Sequence, residues 1–136
     1  MGDMAGGPGA HAVGIPSIDA LHLELEERLA DLADAGAGAT AALAALAALQ
    51  DHLQRHFSHE EALMAQSGFP MAECHAREHL SVVEVVAEVQ RLLEQGDVAP
   101  LGRLAPAMLE WFAVHATSMD AALASYLKRT SAPAAS

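Results

Sequence analysis

From residue 18 onward, apolar side chains return every three or four positions: Ile18, Leu21, Leu25, Leu29 and Leu32, with His22 set among them. A period near 3.6 places all six on one face of a helix. Ser17 stands where an N-cap is wanted, and Asp19 puts a negative charge in the first turn, at the positive end of the helix dipole. The segment Asp34-Ala35-Gly36-Ala37-Gly38 ends this helix. A second helix is predicted from Thr40 to Gln66, burying Leu43, Leu46, Leu49, Leu53, Phe57 and Met64. Ser67-Gly68-Phe69-Pro70 breaks it, since glycine suits a helix C-terminus and proline a helix start. The third helix runs from Met71 to Gln95. Its Val82-Val83-Glu84-Val85-Val86 run has strand propensity, but the helical pattern on both sides keeps it in the helix. Gly96-Asp97 closes it. A fourth helix spans Leu101 to Arg129 with the stripe Leu104, Met108, Trp111, His115, Ala122 and Tyr126. Pro106 falls in its first turns, where a separate or kinked start is expected.

Four helices with short connections predict an all-α fold, an antiparallel up-down-up-down four-helix bundle. Ahead of it, residues 1–16 are rich in Gly and Pro and read as an extended N-terminal arm. Residues 17–130 form the bundle and 131–136 a flexible tail. A chain of 136 residues suits one domain. Much of its 52% hydrophobic content is alanine, so the helices are well formed but the core is thin. Seven Lys and Arg against 18 Asp and Glu leave a net charge of −11, which argues against nucleic acid or an anionic membrane as partner. A single cysteine, Cys74, excludes an internal disulfide framework. The start lacks the basic flank and apolar run of a secretory leader, and the uncharged run from Ala35 to Gln50 is too short and too rich in alanine to span a bilayer. A cytoplasmic protein is expected.

Eight histidines in so short a chain are the feature that bears on chemistry. His75 and His79 are four residues apart and project from one face of the third helix, a spacing suited to two ligands on one metal. The second helix carries His56 and Glu60 at the same spacing. The fourth carries His115 and, five residues on, Asp120, and the first carries His22 within its leucine stripe. In an antiparallel bundle the first and third helices start where the second and fourth finish, so all seven groups fall toward one end. Five imidazoles and two acids buried without a metal would cost more than the roughly 5–15 kcal/mol by which a domain is stable. A metal centre is therefore expected.

The motifs Ile18-Asp19-Ala20-Leu21-His22, His56-Phe57-Ser58-His59-Glu60-Glu61, Phe69-Pro70 with His75-x-x-x-His79, and Trp111-Phe112-x-x-His115-x-x-x-x-Asp120 carry a family likeness. The chain resembles the hemerythrins, specifically the single-domain bacterial form, from Val13 to Leu127. The resemblance implies a di-iron centre in which His75, His79 and His115 hold one iron, and His22 and His56 the other. Glu60 and Asp120 would bridge the two ions, with a solvent-derived oxo or hydroxo as third bridge. The second iron would keep one position for dioxygen, making the protein a reversible oxygen store, carrier or supplier to an oxygen-using enzyme, with no catalytic residue. Leu21, Leu25, Phe57, Trp111 and Phe112 are candidates for the ligand pocket by nearness in sequence.

The donor types fit without the likeness. Imidazole with carboxylate suits Fe, Zn, Cu or Mn, and seven ligands exceed one tetrahedral zinc. No Glu-x-x-His occurs, which argues against the carboxylate-rich di-iron motif of ferritin-like oxidases. Two departures stand out: Leu21 takes the place where the family commonly has glutamine, and Asp120 lies about 140° round an ideal helix from His115. A local widening of the helix would reconcile the second. Outside this set, His52 reads as exposed, with a bond to a ligand as the alternative. His59 and Glu61 read as solvent-facing, His11 as mobile with the arm, and Cys74 as a small helix-face residue. The competing functions are a di-iron enzyme acting on peroxide or nitric oxide, and an oxygen or redox sensor acting through a partner.

Overall fold

A computed structural model describes residues 11–35 and 38–135, with side chains as far as residue 130. The greater part of the expected arm, residues 1–10, lies outside the described residues, as do Gly36 and Ala37 of the first interhelical break. The chain forms α1 (Pro16–Asp34), α2 (Ala39–Ser67), α3 (Ala72–Glu94) and α4 (Leu101–His115), then a π-helical turn (Ala116–Asp120) and α5 (Ala121–Ala135). The last three are consecutive stretches of the predicted fourth helix. Helix α1 packs on α2, α2 on α3, α3 on α4 and α4 back on α1, which is the expected four-helix bundle. The α5 backbone extends to Ala135, into the segment read as a tail; the side chains of residues 131–136 lie outside the described set. Among the described residues, no helix is long and apolar enough to cross a membrane.

Local chemistry explains the element ends and corrects two of them. Helix α1 starts one residue before Ser17: Ile15 is its N-cap, and Pro16 occupies the first helical position, where a missing N–H costs nothing. Asp19 does more than face the dipole. Its carboxylate accepts the Val13 N–H at 2.7 Å and the Gly14 N–H at 3.2 Å, tying the end of the arm to the first turn. At the far end of α2, Gly68 adopts the left-handed conformation (φ 70°) as a C-cap, as its sequence context predicts. Helix α4 is continuous through Pro106, so the first turn is not separate. The valine run of α3 is helical, with Val82, Val86 and Val89 buried.

The second correction concerns the end of the predicted fourth stripe. Ala122 is exposed and Tyr126 only half-buried, while Leu123 and Leu127 face the core. The π turn accounts for this, because one extra residue per turn moves every later position by one. Side chains in register with His115 are thus Asp120, Leu123 and Leu127. Thr117 Oγ1 donates to the Ala113 carbonyl at 2.7 Å and Ser118 Oγ to the Val114 carbonyl at 2.5 Å, bonding carbonyls around the widened turn. Tyr126 finds a different use: its hydroxyl donates to the carbonyls of Ser67 (2.8 Å) and Gly68 (3.2 Å) and so closes the α2–α3 turn.

Two apolar clusters result. The larger is built on residues such as Leu25, Leu46, Val86 and Phe112; the smaller joins Ile18, Met64, Phe69, Leu123 and Leu127. Along the first and third helices His22, and His75 with His79, fall between the two clusters in sequence; along the second and fourth Glu60 and Asp120 do, with His56 and His115 beside the last members of the larger cluster, Phe57 and Ala116. A polar layer therefore sits between two apolar ones.

Candidate metal centre

All seven side chains picked out by spacing are buried, and they converge. The Glu60 and Asp120 carboxylates are the hinge of the arrangement. One oxygen of each faces two of the three imidazoles of His75, His79 and His115: Glu60 Oε1 lies 3.1 Å from His79 Nε2 and 3.4 Å from His75 Nε2, and Asp120 Oδ1 lies 3.0 Å from His75 Nε2 and 3.1 Å from His115 Nε2. The other oxygen of each lies nearest one of the remaining two: Glu60 Oε2 is 2.9 Å from His56 Nε2, and Asp120 Oδ2 is 2.9 Å from His22 Nε2. The ligand atoms of Glu60, His75, His79, His115 and Asp120 lie within 4.8 Å of one another, and so do those of His22, His56, Glu60 and Asp120. Both groups use the same two acids.

The π turn makes this possible. On a regular helix Asp120 would point away from His115; the widened turn brings it onto the same side, 3.1 Å from the His115 ring. The expected local widening is thus present.

Electrostatics and orphaned atoms test the fit of a cation. Glu60 Oε1, Asp120 Oδ1 and the Nε2 atoms of His75, His79 and His115 are buried without a hydrogen-bond partner, although they crowd together. Such atoms cost about 1–3 kcal/mol each when left unsatisfied. Lone pairs that point at a common centre instead of at donors are what a metal ion satisfies, so the residues fit. Burial alone would raise the carboxyl pKa values, but the surrounding imidazoles outweigh it and hold Glu60 and Asp120 well below the usual range. Burial likewise opposes protonation of His75, yet Asp120 and Glu60 lift its pKa to about 9; His22 is raised in the same way, by Asp120 first.

Around this layer stands a set of partners for the outward-facing ring nitrogens. His79 Nδ1 is 3.0 Å from Glu61 Oε2, His115 Nδ1 is 2.6 Å from Glu78 Oε1, and His22 Nδ1 donates to the His11 carbonyl at 2.9 Å. His56 Nδ1 lies 2.9 Å from His52 Nε2. Partners of this kind orient metal-bound imidazoles. His52 is therefore not exposed: it is fully buried, and burial, then the neighbouring His56, push its pKa down to about 4. Glu61, read as solvent-facing, bonds His79 although 43% of its side chain is exposed. His59 is half-buried on Ser17 Oγ at 2.8 Å. His11, expected to move with the arm, packs edge-on against Phe112 with ring centres 4.7 Å apart and meets Glu26 at 3.0 Å. Spacing could have found His52, one turn before His56. It could not have found Glu78, which serves a histidine on another helix. Cys74 is exposed on α3, as expected of a helix-face residue.

The pocket candidates separate. Phe57 stacks flat on His79, centres 3.9 Å apart at 3°, and Trp111 stacks on His115 at 4.5 Å. Phe112 meets His22 edge-on at 4.9 Å, and Leu25 is fully buried in the larger core. Leu21 is half-buried and belongs to neither core cluster.

The Hemerythrin HHE cation binding domain matches residues 13–127, nearly the whole chain. The chain belongs to the hemerythrin family. A curated relative, Bacteriohemerythrin from Ralstonia nicotianae, is 38% identical over 76 residues, 56% of this chain and 56% of that protein. The match thus spans little more than half the length of the relative. Within this hemerythrin domain, the buried histidine–carboxylate layer is the cation-binding candidate.

Proposed function

We propose that this hemerythrin domain holds two iron ions and binds dioxygen reversibly, as a store, carrier or local supplier. The observation that carries the reading is the division of each acid: one oxygen of Glu60 and of Asp120 is turned toward the set His75, His79 and His115, the other toward the pair His22 and His56. His75, His79 and His115 would hold one ion, His22 and His56 the other, with Glu60 and Asp120 shared. When bound, the iron pair supplies the electrons that dioxygen takes up.

The chain's own residues shape the rest. Five protein groups converge on one position and four on the other, so the His22–His56 side has a ligand fewer and keeps room for a small molecule. Phe112, itself buried, lies edge-on against His22 on that side and helps keep bulk water from it. Glu61, Glu78, the His11 carbonyl and His52 fix four imidazoles by their outer nitrogens. Neutral imidazoles outnumber carboxylates in the set, which favours reversible binding over forcing iron to its highest oxidation states.

Metal analysis and spectra of the anaerobically reduced, iron-loaded protein test this. Two irons per chain are expected, with a coloured form that appears on admitting oxygen and fades under argon. His75→Ala should fall below two irons. A wild-type chain that loads one iron or none, or that decays at once while turning over peroxide, sinks the reading.

A further inference from the structure

On one side of the centre a row of polar groups in close succession runs out to the surface. His56 Nδ1 meets His52 Nε2 at 2.9 Å, and His52 Nδ1, buried and without an aligned hydrogen bond, has Glu24 Oε2 as its polar neighbour at 3.2 Å. Glu24 in turn accepts Arg55 Nη2 at 2.6 Å and Nη1 at 3.4 Å, and Arg55 Nε donates to Asp51 at 3.0 Å. Glu24 and Arg55 are partly exposed, whereas His52 is wholly buried. Leaving either ring nitrogen of a buried histidine unpaired costs about 1–3 kcal/mol, so the placement of an imidazole here has consequences.

A neutral imidazole has one N–H and one lone pair, so each link dictates the next. Consider first the arrangement in which His56 carries its proton on Nε2, toward Glu60. His56 Nδ1 must then accept from His52 Nε2–H, and His52 Nδ1 presents a lone pair to the Glu24 carboxylate. Lone pair faces negative charge at 3.2 Å. In the reverse arrangement His52 Nδ1–H points at Glu24 and His56 Nδ1–H donates to His52 Nε2. His56 Nε2 is then free of its proton and offers a lone pair to the centre. Arg55 pins the carboxylate that selects this second arrangement. The other partnered imidazoles need no such device: Glu61, Glu78 and the His11 carbonyl can only accept.

We propose that His52, oriented by Glu24 and Arg55, is a positioning residue that holds His56 in the tautomer able to bind metal. The inference rests on the di-iron reading and specifies how its weaker side is prepared. His52→Leu removes the relay with little change in volume. Glu24→Gln keeps the shape but removes the selecting charge. His52→Gln restores a relay, its carbonyl accepting from His56 and its amide donating to Glu24. The measurements are iron per chain and the rate at which a chelator withdraws each iron, with the melting temperature of each metal-free variant alongside.

With two irons on the wild type, His52→Leu and Glu24→Gln should release one of them about 10–100-fold faster, the usual effect of losing an outer partner. His52→Gln should stay close to wild type, with metal-free melting unchanged across Glu24→Gln and His52→Gln. If His52→Leu fails to fold, the surface variant Glu24→Gln carries the test. Wild-type release rates in both His52→Leu and Glu24→Gln, or equal loss in His52→Gln and His52→Leu, overturn the positioning role and leave the di-iron reading standing. Fewer than two irons on the wild type takes down both.

Discussion

Phe57 shows how one residue serves packing and site together. Its ring lies flat on His79, meets Trp111 edge-on at 6.2 Å, and floors a groove of about 520 Å³ between α2 and α3 that His79 and Glu61 also line. Truncation to alanine removes the stacking partner of a candidate ligand and opens the groove toward it. Phe57→Ala should destabilise the fold by about 3–5 kcal/mol, as large-to-small core changes do, and speed autoxidation. Urea unfolding and the decay of the oxygenated spectrum measure the two effects. Sequence exposed part of this. Phe57 follows His56 directly, which nominated it for the pocket, but a ring beside one histidine in sequence turned out to stack on another across the bundle.

At the scale of the element, the π turn governs the outcome. A strict 3.6 period assigned Ala122 and Tyr126 to the core and set Asp120 aside from His115. The structure buries Leu123 and Leu127 and brings Asp120 to His115, because one inserted residue shifts the whole downstream face. The sequence held a hint in Thr117 and Ser118, whose hydroxyls bond nearby backbone carbonyls. Periodicity cannot register it, since one local change in pitch leaves each flanking segment helical. Deleting Thr117 should leave a regular helix in which Asp120 stands four residues after His115, on the same face, and Leu123 and Leu127 keep facing the core. Two-metal loading and a melting temperature close to the original are expected; loss of loading would show that the extra residue does more than set the register of Asp120.

For the whole molecule, the polar layer lies between two apolar clusters and so ties stability to pH and metal. In the metal-free protein His75 has its pKa lifted from the ordinary 6.5 to about 9, opposed by burial but driven by Asp120 and Glu60. A raised pKa contributes stability in full below 6.5 and loses it as pH climbs through 9. Glu60 and Asp120 are lowered from 4.5 and 3.8, so their contribution is present above those values and fades as pH falls. His52, lowered from 6.5 to about 4, gives up stability as pH falls below 6.5, so metal-free protein should melt highest near pH 6.5 and lose stability toward pH 9 and toward pH 4. Iron loading should flatten the alkaline limb, because a bound metal replaces the proton. A metal-free melting temperature level from pH 6 to 9 would contradict this.

Local periodicity and spacing were enough for the four helices, the Gly68 cap and the seven polar groups at one end, because each depends on neighbours within a turn or two. The sharing of Glu60 and Asp120, the burial of His52 and the arm's His11 carbonyl on His22 depend on which side chains meet across helices. Glu78, Glu61 and Glu24 look alike in sequence as helix-surface acids, yet only packing decides which histidine each one faces. Spacing along one helix is set by covalent geometry and hydrogen bonding within it. Partnership between helices is set by rotation about their axes, which the apolar layers and the widened turn determine together.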